Sequence, residues 1–160
     1  IEWIVGLITT FGLIYILRAK IDVNEIDILH NDSGELIRFK IPVINNTRYF
    51  AATNIIIETA LIKGNYTYHF VLDRDKFILI PKKCSCSNTK MNERSFQTMN
   101  FDDLTRQLIG RMDNFQILLN EIMEENTRLR VRIHANHEFT NFGKAFEFNF
   151  KFKQGRFIKI

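Results

Sequence analysis

Lys-Ala-Phe-Glu-Phe-Asn-Phe-Lys-Phe, residues 144–152, decides the fold class of this chain. Phe146, Phe148, Phe150 and Phe152 recur at every second position, with Ala145, Glu147, Asn149 and Lys151 between them. Period two is the period of a strand, so the run predicts one apolar and one polar face. The stretch before it, 129–139, has the same period: Leu129, Val131, Ile133 and Ala135 alternate with Arg130, Arg132, His134 and Asn136. Thr-Asn-Phe-Gly at 140–143 is a turn between the two. Gln154 and Gly155 make another before a last short strand at 156–160.

Working outward, residues 21–30 predict a first strand and Asn-Asp-Ser-Gly at 31–34 a turn. Residues 35–43 alternate Ile37, Phe39, Ile41 and Val43 with Arg38 and Lys40. Pro42 cannot donate to a ladder, so it predicts an edge or a bulge. Residues 53–62 are apolar on both faces, as in a central strand covered on both sides. Strands follow at 66–72 and 77–80, the second stopped by Pro81. Residues 82–98 lack a period and predict an exposed loop. Asn100 is a candidate N-cap, with Asp102 and Asp103 meeting the positive helix end. Leu104, Leu108, Met112, Phe115, Leu119 and Ile122 then form one helical face, which Gly110 divides. About seven strands and one late α-helix near 100–126 predict a mainly β, antiparallel immunoglobulin-like β-sandwich over residues 21–160.

Residues 1–17 contain one charge, Glu2, and are followed by Arg18 and Lys20. An apolar run of this length predicts an N-terminal transmembrane helix, with 1–20 as the anchor. Trp3 and Tyr15 sit near its ends, where amphipathic rings prefer the headgroup layer. A signal peptide fits less well, because the basic residues follow the run and Arg-Ala-Lys is a poor cleavage site. The positive-inside rule then places the large domain in the cytoplasm of a single-pass membrane protein.

Composition narrows the function. Of 160 residues 46% are hydrophobic, which excludes a disordered tail as the main content. Phe occurs 15 times and Pro twice, a bias that favours strands. The net charge of +4 is uneven: residues 128–160 hold eight basic residues against Glu138 and Glu147, so that segment carries +6 and residues 1–127 carry −2. Residues 101–127 carry −4, and the helix at 101–125 is expected to cap the sandwich or to offer an acidic face to a partner.

Chemistry-bearing motifs are sparse. Cys84 and Cys86 are too close for an ordinary disulfide framework. With His134 and His137 they could complete a zinc set, but Cys-x-Cys is tight and the two His point to opposite strand faces, so no metal is expected. The alternative for the His is a surface pair near a turn. Asp73 and Asp75 flank Arg74 in a turn, and Asp102 and Asp103 have the helix-start explanation. No Ser/His/Asp order, phosphate-cradling Gly-rich loop or His-Glu-x-x-His occurs, so no enzyme and no cofactor are expected. Sequons stand at Asn31, Asn45 and Asn65.

Arg130 and Arg132 share one strand face, as do Lys151 and Lys153. The bland reading is a solvated face. The functional reading is a surface for anionic lipid headgroups or for another membrane or cytoplasmic protein. Nucleic acid is disfavoured at a net charge of +4.

The run Arg-Phe-Lys-Ile-Pro-Val-Ile-Asn at 38–45, with Ala-Thr-Asn-Ile-Ile-Ile-Glu at 52–58, resembles the strand, Val-x-Asn, loop, Ala-x-x-strand pattern of immunoglobulin-like sandwiches. Late-embryogenesis-abundant-like domains and the cytoplasmic domain of inward-rectifier potassium channels share that pattern. The channel comparison extends to the paired strands at 129–152. No second membrane helix and no Thr-x-Gly-Tyr-Gly-type filter accompany it. The resemblance therefore implies a fold at a membrane, not a conducting channel. The expected function is a membrane-anchored, non-catalytic binding or scaffolding module, or else a non-conducting accessory subunit of a channel or transporter.

Overall fold

The computed structural model describes residues 2–16 (side chains to 13), 19–83, 91–110, 114–141 and 143–160. Among the described residues ten strands and three helices follow in the order α1 (Glu2–Ile16), β1 (Ile21–Val23), β2 (Asp27–His30), β3 (Leu36–Asn45), β4 (Ala52–Lys63), β5 (Tyr66–Leu72), β6 (Lys76–Ile80), β7 (Glu93–Phe101), α2 (Asp103–Ile109), α3 (Phe115–Ile122), β8 (Arg128–His137), β9 (Gly143–Lys153) and β10 (Arg156–Lys159). The strand path is β1-β3-β7-β5-β4-β8-β9-β10, with β2 on β3 and β6 on β4, and the ladders are antiparallel.

This sheet curls until its ends meet. Phe39 of β3 and Phe157 of β10 pack edge to face at 5.1 Å, although they belong to opposite ends of the strand path. The enclosed side collects one face of each strand. Leu129, Val131 and Ile133 of β8 lie opposite Phe150, Phe148 and Phe146 of β9; the three β8 residues join Phe39, Ile41, Ile55, Leu61 and Phe96 in a core with no solvent exposure, and Phe146 and Phe148 pack partly buried against it. The mainly β, antiparallel, sandwich-like reading holds in this coarser form.

The transmembrane expectation is overturned. Among the described residues no helix is long and apolar enough to cross a membrane. The described helix α1 has 15 residues, about 22 Å at 1.5 Å per residue, short of the roughly 30 Å hydrocarbon core. The single-pass membrane assignment, with its cytoplasmic orientation, is corrected accordingly. Trp3 stands on α1 and is 87% exposed. The side chain of Tyr15, and Arg18 altogether, lie outside the described residues. Lys20 belongs to a tied linker: its backbone N–H donates to Thr47 Oγ1 at 2.9 Å and its carbonyl accepts from Asn46 N–H at 2.7 Å.

Other elements also differ from expectation. The first strand is two strands, and Pro42 explains the break. Asn45 N–H donates to Asn92 across the β3–β7 side, so by alternation the missing N–H of Pro42 faces the β1–β2 side. No ladder partner stands there: β1 ends opposite Val43 and β2 begins opposite Lys40. Residues 82–98 are not wholly a loop, because β7 occupies its end. β7 buries Phe96 and Thr98 inward, and the Thr98 hydroxyl accepts Phe39 N–H at 2.9 Å. β4 is covered on one face only; Ile56 and Glu58 of its outer face are exposed.

The late helix is two. Gly110 caps α2 in the left-handed region, φ 66°, and its N–H closes back on Arg106 and Gln107. Asp102, not Asn100, is the N-cap, accepting from Thr105 N–H at 2.7 Å. Leu104 and Leu108 are exposed at 70% and 81%, whereas Thr105 is buried and its hydroxyl accepts His69 N–H of β5. α3 buries Leu118, Leu119 and Ile122. Its Asn120 amide accepts from Leu36 N–H and donates to Leu36 C=O, serving the end of β3 as a short substitute for a neighbouring strand.

Candidate functional site

The outer face of β8, β9 and β10 gathers the basic residues of the C-terminal segment. Because β8 and β9 put Leu129, Val131, Phe148 and Phe150 inward, the residues between them must point outward. Arg130 stands opposite Asn149, Arg132 opposite Glu147, and Arg128 opposite Lys151. On the next ladder Arg156 stands opposite Lys153 and Ile158 opposite Lys151. Arg130, Arg132, Lys151 and Lys153 therefore share one surface. Arg128 extends the β8 set by the same alternation, and Arg156 joins across the β9–β10 ladder, which alternation within a single strand could not show.

The face is not uniformly charged. At one end Arg132 Nε donates to Glu147 Oε2 at 2.7 Å, and Asn149 donates to the other carboxylate oxygen. These hydrogen bonds, Arg132's first, hold the Glu147 carboxyl below its usual range, and the charges of Arg132 and Arg130 add to this. Glu58 of β4 lies opposite Arg132 on the other side, so this end is compensated. The other end is not. Among the described residues no acidic side chain forms an ion pair with Arg128, Lys151, Lys153 or Arg156. Nearby acids are engaged elsewhere: Glu124 pairs with Lys63 at 2.7 Å, and Glu125 accepts Gln154 N–H at 3.0 Å. Two cation pairs face each other directly across ladders, an arrangement that costs stability in a sheet.

Beside this face lies the seam where the curled sheet meets itself. Lys159 Nζ reaches Asp22 Oδ1 at 2.6 Å and Val23 C=O at 3.2 Å, tying β10 to β1. A cleft of about 840 Å³ opens next to the tie, between β10 and the β1–β2 connection. Its lining mixes Phe150, Phe157, Ile26 and Pro42 with Arg156, Glu25 and Asp27.

The remaining candidates fare differently. Cys84 and Cys86 lie outside the described residues. Among the described residues no group of three or more His, Cys, Asp or Glu could hold a metal ion. His134 is exposed, but His137 is not the surface residue expected: it has no solvent exposure, packs edge-on against Phe50 at 4.9 Å, and leaves Nε2 without a partner. Burial pushes its pKa below 6.5, against the opposing pull of Glu138. The sequon at Asn45 is closed, because that side chain is fully buried and its amide donates to Ile80 C=O and Pro81 C=O.

No protein-family model matches this chain, and no curated protein matches it. The functional reading therefore stands on the face itself.

Proposed function

We propose that this domain is a non-catalytic binding module that takes an acidic protein partner on the outer face of β8–β10. The observation that carries the reading is the pair of like-charge juxtapositions, Arg128 opposite Lys151 and Lys153 opposite Arg156. An anionic partner turns that repulsion into attraction on binding. The lipid alternative rested on an anchor that no described helix supplies. A sheet twisted by roughly 20–25° per strand also offers a flat bilayer few simultaneous contacts. For nucleic acid, the described residues of the face present Asn149 and Ile158 between the cations and no aromatic ring on which a base could stack. The finer kinship, with the sandwiches of late-embryogenesis-abundant-like domains and inward-rectifier cytoplasmic domains, belongs to this same proposal and adds no chemistry to it.

The test is fluorescence anisotropy of labelled polyglutamate, with anionic vesicles and duplex DNA as parallel probes. Polyglutamate is expected to bind, to release as salt rises, and to bind at least about tenfold more weakly when Arg128, Lys151, Lys153 and Arg156 are all changed to Gln. Equal binding by that variant, or salt-sensitive binding to vesicles or DNA alone, overturns the proposal.

A further inference from the structure

β10 is bonded to β9 along one edge, and its other edge lies open at the seam. The phase of the ladder decides which backbone groups point there. Ile160 donates its N–H to Asn149 C=O at 2.9 Å, so these two form a hydrogen-bonded pair. Antiparallel pairs alternate. Ile158 with Lys151 and Arg156 with Lys153 are therefore hydrogen-bonded pairs too. The N–H and C=O groups of Phe157 and Lys159 point away from β9 into the cleft. The hairpin turn agrees with this phase: Gln154 and Gly155 both have positive φ, 51° and 76°, as a two-residue turn flanked by a hydrogen-bonded pair requires.

We infer that an extended acidic segment of the partner adds to β10 as a further strand in this cleft. This inference rests on the reading of the basic face proposed above and names how that face is engaged. A strand added there satisfies the four outward backbone groups of Phe157 and Lys159, the interaction that drives edge recognition elsewhere. Its side chains must alternate between two environments. One set stands outside, beside Arg156 and Ile158, where Arg156 has no acidic counterpart and Lys153 adds a second positive charge. That position calls for Asp or Glu. The other set turns into the cleft, where Glu25, Asp27 and Glu93 stand beside the buried Phe157, Ile26 and Pro42; the three acids exclude Asp or Glu there, and the position calls for an uncharged, apolar side chain. The partner segment is thus one of alternating acidic and apolar residues. A second copy of this chain fits less well, because it brings no acid to the edge: with β10 paired antiparallel to β10 about Ile158, Arg156 would meet Ile160 and stay without a negative counterpart.

The probe is an end-capped Glu-Val-Glu-Val-Glu peptide, compared with two versions N-methylated on one or the other alternate set of amides. Only one set can face β10, so one version is expected to bind at least about tenfold more weakly and the other to match the parent. Binding should slow amide exchange at Phe157 and Lys159 and leave Ile158, already bonded to β9, unchanged. Lys159→Pro removes one edge N–H and should weaken binding, whereas Lys159→Ala, which also loses the tie to Asp22, should retain it. If Lys159→Pro does not fold, the two methylated peptides decide. If both methylated peptides match the parent and binding remains salt-sensitive, strand addition is overturned while the basic-face reading survives. If neither the peptide nor polyglutamate binds, both fail. Concentration-dependent protection of Phe157 and Lys159 without peptide would assign the edge to a second copy and overturn the inference.

Discussion

Lys159 and Asp22, 137 residues apart in the chain, form an ion pair of 2.6 Å that joins the last strand of the sheet to the first. Both side chains are about two-fifths exposed, so solvent screens the attraction. Asp22→Asn is expected to cost less than about 1 kcal/mol in global stability. Its clearer effect should be local: amide exchange in β1 and β10 speeds up while that in β4 and β8 does not. Uniform acceleration across all four strands would show that the tie is not a local closure.

Phe39 touches both sides of the curl, packing against Phe70 at 5.7 Å and Phe157 at 5.1 Å with no exposure of its own. Phe39→Ala should destabilise the domain by about 3–5 kcal/mol, measured by denaturant unfolding. A loss below about 1 kcal/mol would mean that the two ends of the sheet do not share this core.

Asn45 holds three backbone segments with one buried amide: Nδ2 donates to Phe50 C=O and to the consecutive carbonyls of Ile80 and Pro81, and Oδ1 accepts from Thr47 N–H at 2.9 Å. Asn45→Ala leaves those groups unpaired away from water, at a cost of about 1–3 kcal/mol. Asn45→Asp should be worse, since it sets a carboxylate against these carbonyls. Unfolding midpoints that rank Asp above Ala would contradict this geometry.

His137 predicts a pH dependence of definite sign. Its folded pKa lies below the ordinary 6.5, from burial first and despite the opposing charge of Glu138. The unfolded chain therefore takes up a proton that the folded chain refuses. Stability is fully present above pH 6.5 and falls as pH drops from 6.5 toward the lower folded value, by at most about 1.4 kcal/mol per pH unit for one proton. His137→Gln should remove that part of the slope; parallel profiles for the two proteins would assign it elsewhere.

Arg128 and Lys151 face each other across the β8–β9 ladder. Changing both to Gln should raise stability by a few tenths of a kcal/mol, up to about 0.5, while weakening capture of polyglutamate. A variant that loses both stability and binding would mark the pair as structural.

Alternation made β8 and β9 legible from the sequence, together with the outward placement of Arg130, Arg132, Lys151 and Lys153, because period two is a property of one strand alone. Gly110 as a divider and an acidic helix start near 102 were legible for the same local reason. β7 was not, because its inward set includes Thr98, whose hydroxyl is satisfied only by Phe39 of another strand. The helical face of Leu104 and Leu108 was misread for the converse reason: periodicity marks a stripe, but the packing of α2 on β5 turned Thr105 inward instead. Apolar content alone suggested a membrane span at 1–17, and the described length of α1 overturned it.

By itself the sequence determined the β class, the turns and the charge asymmetry, since backbone propensity and side-chain alternation act over a few residues. Only the tertiary structure decided that Arg128 meets Lys151, that Arg156 meets Lys153, and that the two ends of the sheet close around a cleft. Register and curl are set by contacts between residues distant in the chain, and no local pattern encodes which of them will meet.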